Sequence, residues 1–241
     1  MKKMLLAGCS HSVGFGLDDI NKSWGNIFAK NNNHTITNVA QAASSLQYAI
    51  QKIVDEISQE DYTTVILQLT TFDRYPITYN GENRFLSNNI TDTDASVADI
   101  FHLVPANYLQ AVNGDKMPLD NDAIRFFNEK VMFSTFYLNT IMNEIYLLQQ
   151  LLKLKGIYLI LIPYDDYFWG EESNMSIWKF EQSKKIDKTN YIKYPFMKWL
   201  RDNYNPDDYY VDKGFHLNEQ GHKLFAETYL PSQIKLLSKL I

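Results

Sequence analysis

The sequence predicts an α/β chain built on a doubly wound parallel sheet of about five strands, with helices on both faces. Three observations predict it. Short aliphatic or β-branched runs (Met4-Leu5-Leu6, Thr63 to Leu69, Ile157 to Ile162) alternate with stretches of helical apolar spacing. The two later runs are apolar almost throughout, as strands covered on both faces are. Turn residues close the runs, Ala7-Gly8 after the first and Pro163 after the last.

Taken in order, Met4 to Leu6 forms a first strand that delivers Ser10 into a loop of glycine and small residues. Ser23 to Lys30 reads as a short helix closed by Asn31-Asn32-Asn33, and Thr35 to Val39 as a short strand ending in small residues. Leu46, Ile50, Ile53 and Ile57 recur at helical spacing, so Leu46 to Ile57 is an amphipathic helix. Thr63 to Leu69 is the central strand. From Thr70 to about Asp120 turn signals dominate, and the aromatics among them (Phe72, Tyr75, Tyr79, Phe85, Phe101, Tyr108) favour an ordered cap over a linker. Asn121 to Lys155 is helical, with an interruption near Ser134-Thr135, and Gly156 stands where a C-cap glycine belongs. The Ile157 to Ile162 strand, an irregular aromatic loop over 164–190, a short helix at Phe196 to Tyr204, a brief strand at Tyr209 to Val211 and a terminal helix from Asn218 complete the chain. The expected organisation is one domain over 1–241, with a cap-like insert at about 70–120.

Composition narrows the function. Among 241 residues the formal net charge is −5, which argues against a nucleic-acid partner, since that needs a basic face. Cys9 is the single cysteine, so no internal disulfide forms and a reducing, cytoplasmic setting is expected. Lys2-Lys3 before Leu6-Ala7-Gly8-Cys9 imitates a lipidation box, but the apolar stretch is far shorter than the roughly 7–15 residues of a signal core. No run approaches the ~18 apolar residues of a membrane span, so no membrane partner is expected.

Candidate chemistry lies at the two ends. In open α/β sheets ligands sit beyond the carboxyl ends of the strands, which puts Ser10 at the mouth of a crevice. Val211 to His222 (VDKGFHLNEQGH) supplies a histidine, His216, with a carboxylate, Asp212, close in sequence and a helix start just after it. A serine, a histidine and an acid are the minimum for nucleophilic acyl transfer: the histidine takes the serine proton, and the acid fixes its tautomer. Ser10 is therefore the candidate nucleophile, His216 the base and Asp212 its orienting acid. No metal or other cofactor is expected. Asp165-Asp166 lacks partners at ligand spacing and reads as a solvated loop. His11 is a substrate contact or a solvent-facing loop residue. Asp73-Arg74 is an internal ion pair or an anchor for an anionic substrate. Cys9 reads as a small buried hydrophobe and His222 as a structural residue of the last helix.

Gly8-Cys9-Ser10-His11-Ser12-Val13-Gly14 resembles the first block of the SGNH (GDSL-like) hydrolases, and Asp212…His216-Leu217-Asn218-Glu219-Gln220-Gly221-His222 resembles their last. The resemblance implies a flavodoxin-like three-layer α/β/α fold and metal-free esterase, lipase or carbohydrate-deacetylase activity through a serine nucleophile. It also implies an oxyanion hole formed by the N–H groups of Ser10 and Ala43, the latter standing where the second block has glycine. The third block departs: Thr70-Thr71-Phe72-Asp73 carries Phe72 in place of the hole's asparagine. Losing one such donor costs on the order of 10²–10³ in rate. Thr71, Gln68 and Arg74 are the residues through which the hole is rewired if it is retained. Cys9 replaces the family's aspartate, and three residues separate Asp212 from His216 where the family has two, with Asp208 as the fallback acid.

The expectation is thus a serine esterase acting on an O-acyl ester of a glycan or another small polar molecule, with His11, Thr71, Asp73 and Arg74 as further substrate contacts. Two alternatives stay open: an O-acyltransferase with the same triad, and a binding module that kept the fold without the activity.

Overall fold

The computed structural model describes residues 2–42, 44–70, 75–77, 101–103, 134–171, 176–211 and 216–238. Four parallel strands, β1 (Lys2–Ala7), β2 (His34–Asn38), β3 (Thr64–Leu69) and β6 (Tyr158–Pro163), form the main sheet in the order β2-β1-β3-β6. Two short strands, β4 (Tyr75–Ile77) and β5 (Phe101–Leu103), pair antiparallel within the stretch expected as a cap. The remainder of that stretch lies outside the described residues.

Period-two alternation sorts each strand onto two faces. Leu5, Ala7, Val65, Leu67, Leu69, Leu159 and Leu161 pack against helices α3 (Leu46–Gln59) and α4 (Thr135–Leu154). Met4, Leu6, Ile66, Ile160 and Ile162 pack on the other side against Trp24 and Ala29 of α2 (Trp24–Asn31) and against Phe196, Phe225, Tyr229 and Leu230. The doubly wound α/β class is therefore as the sequence predicts.

Local chemistry sets the element ends. Ser45 and Ser134 cap α3 and α4, their hydroxyls accepting the N–H groups of Tyr48 and Tyr137, each at 3.2 Å. Ser134, read from the sequence as an interruption, is thus a helix start, while 121–133 lies outside the described residues. Gly156 (φ +68°) ends α4, with the N–H of Ile157 returning to the carbonyl of Leu152 at 2.9 Å.

One expected strand is corrected. Tyr209 to Val211 does not join the sheet, which has four strands among the described residues. Pro206 sets the φ of a 3₁₀ turn, Pro206–Tyr209, and Tyr210 then makes a single antiparallel bridge to Leu217. Beyond β6, Tyr191 adds one parallel bridge to Leu161. The irregular 164–190 loop holds a helical turn, α5 (Asp166–Trp169), and two 3₁₀ turns. Helix α6 (Phe196–Asn203) follows, and helix α7 (Glu219–Leu224) runs on through a π-helical turn to Ser238. No helix among the described residues is long and apolar enough to cross a membrane.

Candidate active site

Sheet order locates the candidate site. The chain leaves β1 toward β2 on one side and reaches β3 on the other, so β1 and β3 flank the switch point, beyond which ligands sit in open α/β sheets. Gly8, Cys9 and Ser10 lead out of β1 at that point. Ser10 begins a single helical turn, α1 (Ser10–Val13), and its carbonyl accepts the N–H groups of Gly14 at 3.2 Å and Phe15 at 3.0 Å. The residue is only 5% exposed, so its hydroxyl is recessed.

Four neighbouring segments hold this turn. From β3, the fully buried Gln68 accepts the Ser12 hydroxyl at 2.5 Å and faces the Cys9 thiol at 3.8 Å. The Nδ2 of Asn38, at the end of β2, donates to the Ser12 carbonyl at 2.9 Å. In the next loop the Ser44 hydroxyl donates to the Gly8 carbonyl at 2.7 Å. Trp24 Nε1 of α2 donates to the carbonyl of His11 at 3.0 Å. Gly8 is required here by packing: a Cβ would stand 2.6 Å from Ser12 Oγ and 2.8 Å from Gln68 Cβ.

The far end of the chain is tied to itself on the way to the site. Val211 N–H donates to the His216 carbonyl at 2.9 Å, and Asn218 N–H to the Tyr209 carbonyl at 2.9 Å, so the residues on either side of 212–215 are clasped together. Asn218 then caps α7, its side chain accepting the N–H of Gly221 at 2.9 Å. His216 is half-buried, with its ring 5.3 Å from that of His11 and 4.7 Å from that of Phe15. His11 in turn stacks on Tyr164 at 3.6 Å and 17°. Rings from the ends of β1 and β6 and from the segment before α7 thus meet next to the Ser10 turn.

A second histidine of the same segment does structural work. His222 is buried, and its Nδ1 accepts the N–H of Trp24 at 3.2 Å, across 198 residues of sequence. That bond replaces the side-chain cap that Ser23 does not provide to α2. Burial, and secondarily the charge of His216, pull the His222 pKa from 6.5 down to about 4. His222 is therefore neutral at pH 7, as an acceptor must be, and the structural role read from the sequence holds.

Known structures carry the same architecture. The chain matches the esterase EstA from Pseudoalteromonas sp. over 99% of its own length and 100% of EstA, with a TM-score of 0.55 at 11% identity. It also matches a catalytic mutant of Axe2, an acetylxylan esterase from Geobacillus stearothermophilus, over 96% and 94% of the two chains (TM-score 0.54, 11% identity). A G-D-S-L family protein from Desulfitobacterium hafniense matches over 94% and 97% (TM-score 0.52, 14% identity). The chain has the SGNH hydrolase fold. No protein-family model and no curated protein matches it in sequence.

Of the expected site residues, the SGNH fold brings the Ser10 turn and His216 to one place, through the ring contacts of His11 and Phe15. His11 is a half-buried member of the ring cluster and not a solvent-facing loop residue. Asp212, Ala43, Thr71, Phe72, Asp73 and Arg74 lie outside the described residues. Asp208, the fallback acid, is exposed in the 206–209 turn. Asp166 is held in an ion pair by Arg201 at 2.8 Å, a partner that a reading of nearby sequence missed. Cys9 is a buried thiol, as expected.

Two site residues escaped the sequence reading. Tyr164 had a usable signal, since it directly follows the proline that ends β6. Phe15 had a weaker one, a lone aromatic between two glycines.

Proposed function

We propose that the protein is a serine esterase of the SGNH type, cleaving an O-acyl ester of a glycan or another small polar molecule. The observation that carries the reading is the meeting of the Ser10 turn and His216 at the switch point of a fold shared with EstA and the acetylxylan esterase. Ser10 Oγ attacks the ester carbonyl while His216 takes its proton, forming a tetrahedral oxyanion. His216 then protonates the alkoxide, the alcohol leaves, and an acyl-serine remains. Water, deprotonated by His216, releases the acid and restores Ser10. Asp212 orients His216, and the N–H groups of Ser10 and Ala43 stabilise the oxyanion. His11, Thr71, Asp73 and Arg74 contact the substrate, and the 70–120 insert, part of the same single domain, sets specificity.

Labelling by a fluorophosphonate tests this without knowledge of the substrate. Wild type should label, while Ser10→Ala and His216→Ala should lose reactivity by about 10³ or more. A well-folded wild type that takes no probe would leave a binding module with this fold. Phe72 adds a second expectation. Restoring the missing donor with Phe72→Asn should raise kcat, by on the order of 10² if the side chain reaches the oxyanion. A variant no faster than wild type rejects the assignment of Phe72 to that position.

A further inference from the structure

Phe15 is a large apolar side chain left 43% exposed beside the proposed base. The turn that carries it is well defined. Gly14 and Gly16 flank it at φ +82° and +87°, a conformation that side-chain-bearing residues rarely adopt. The N–H of Phe15 is held by the Ser10 carbonyl at 3.0 Å, and that of Leu17 by Gly14 at 3.2 Å. Its ring lies 4.7 Å from that of His216 at an interplanar angle of 45°. Val211, 49% exposed, continues the apolar rim, with Cγ2 2.9 Å from where a Cβ on Gly16 would stand. His216 thus has the half-buried His11 as one ring neighbour and the exposed Phe15 as another.

The chemistry gives this rim a meaning. A base that has taken the serine proton returns it to the departing alkoxide, so the alcohol half of an ester lies next to the imidazole. Side chains against the imidazole therefore border the alcohol and not the acyl group. We propose that Phe15 and Val211 form a leaving-group subsite for a cyclic alcohol, whose C–H face lies against the Phe15 ring. The acyl group makes no contact there. The assignment rests on the serine esterase reading.

Acetates of ethanol, cyclohexanol and methyl glucopyranoside share the acyl group and differ in the alcohol, so they test the subsite. For Phe15→Ala, the ratio of kcat/KM on the two cyclic acetates to that on ethyl acetate should fall about tenfold, the difference expected for one lost aromatic contact. Phe15→Tyr, which keeps the ring, should stay within about twofold on all three. Should Phe15→Ala fail to fold by circular dichroism, Phe15→Leu keeps apolar bulk without a flat face and gives the same comparison. An equal loss on all three acetates, or none, overturns the subsite while fluorophosphonate labelling of the same wild-type sample leaves the esterase reading standing. No labelling and no hydrolysis by wild type overturns both.

Discussion

The two faces of the sheet differ in what their helices bring to it. On one, α3 and α4 bring Ile50, Ile53, Ile57, Ile141, Met142 and Ile145 against strand leucines and valine, although this face also buries Trp169 and Tyr191, with Trp169 Nε1 donating to the Thr70 carbonyl at 2.8 Å. On the other, the rings of Trp24, Phe196, Phe225 and Tyr229 interlock, Phe196 lying 4.5 Å from Phe225 and 5.1 Å from Tyr229. This second face also buries directional polar contacts, among them His222 with the Trp24 N–H and Gln68 with Ser12. Aliphatic burial is non-directional and stabilises the fold without orienting any one group. Hydrogen-bonded polar groups in a dry interior define orientation at the risk of a large penalty when a partner is lost. The candidate site draws on the second face through Gln68, Trp24 and Tyr164.

Variants can separate the two. The largest stability loss should come from the aliphatic face: Ile141→Ala, at a fully buried position, should cost about 2–5 kcal/mol in urea unfolding. Its fluorophosphonate labelling rate below the transition should match wild type. A slowed rate would mean that the faces are not separable.

Acid should act on the site face. The pKa of His222 is depressed in the fold, so the unfolded chain binds the proton more readily between pH 6.5 and about 4. Stability from this group is complete above pH 6.5 and is lost as pH falls toward 4, on the order of 3 kcal/mol in total. His222→Asn retains an acceptor that does not titrate. Its stability deficit relative to wild type should shrink between pH 7 and pH 4, and a deficit constant with pH would reject the buried neutral histidine.

Gln68→Leu should cost less stability and more activity. It leaves the Ser12 hydroxyl unpaired in the interior, about 1–3 kcal/mol, and frees the turn that carries Ser10. Labelling should slow roughly 10–100-fold, since small displacements of a reacting group are expensive. Adding Ser12→Ala should cost less than the sum of the two single changes. Full additivity would show that the bond is not the link. The smallest effect belongs to Ser134→Ala, which removes one cap of α4 for about 1 kcal/mol and should leave labelling untouched.

Much of this was legible in the residues. Strand and helix periodicity identified β1, β3, β6 and α3 because burial on a sheet or helix face repeats locally, at two or 3.6 residues. The Ser10 block and the His216 block stood out because each combines a strand or helix boundary with reactive side chains. The expected strand at Tyr209 to Val211 misled because a β-branched residue and two tyrosines have strand propensity, whereas pairing depends on a partner that propensity does not supply. Pro206 and the clasp to Leu217 and Asn218 set its conformation instead.

By itself, then, the chain order of apolar runs and turn residues determined the α/β class and nominated Ser10, His216 and Asp212, since these depend on neighbours in sequence. Only the tertiary structure decided that His222 caps α2, that Arg201 holds Asp166, and that Tyr164 and Phe15 belong with His11 and His216. Those contacts join segments remote in the chain, and no local pattern encodes a distance that only the assembled sheet brings about.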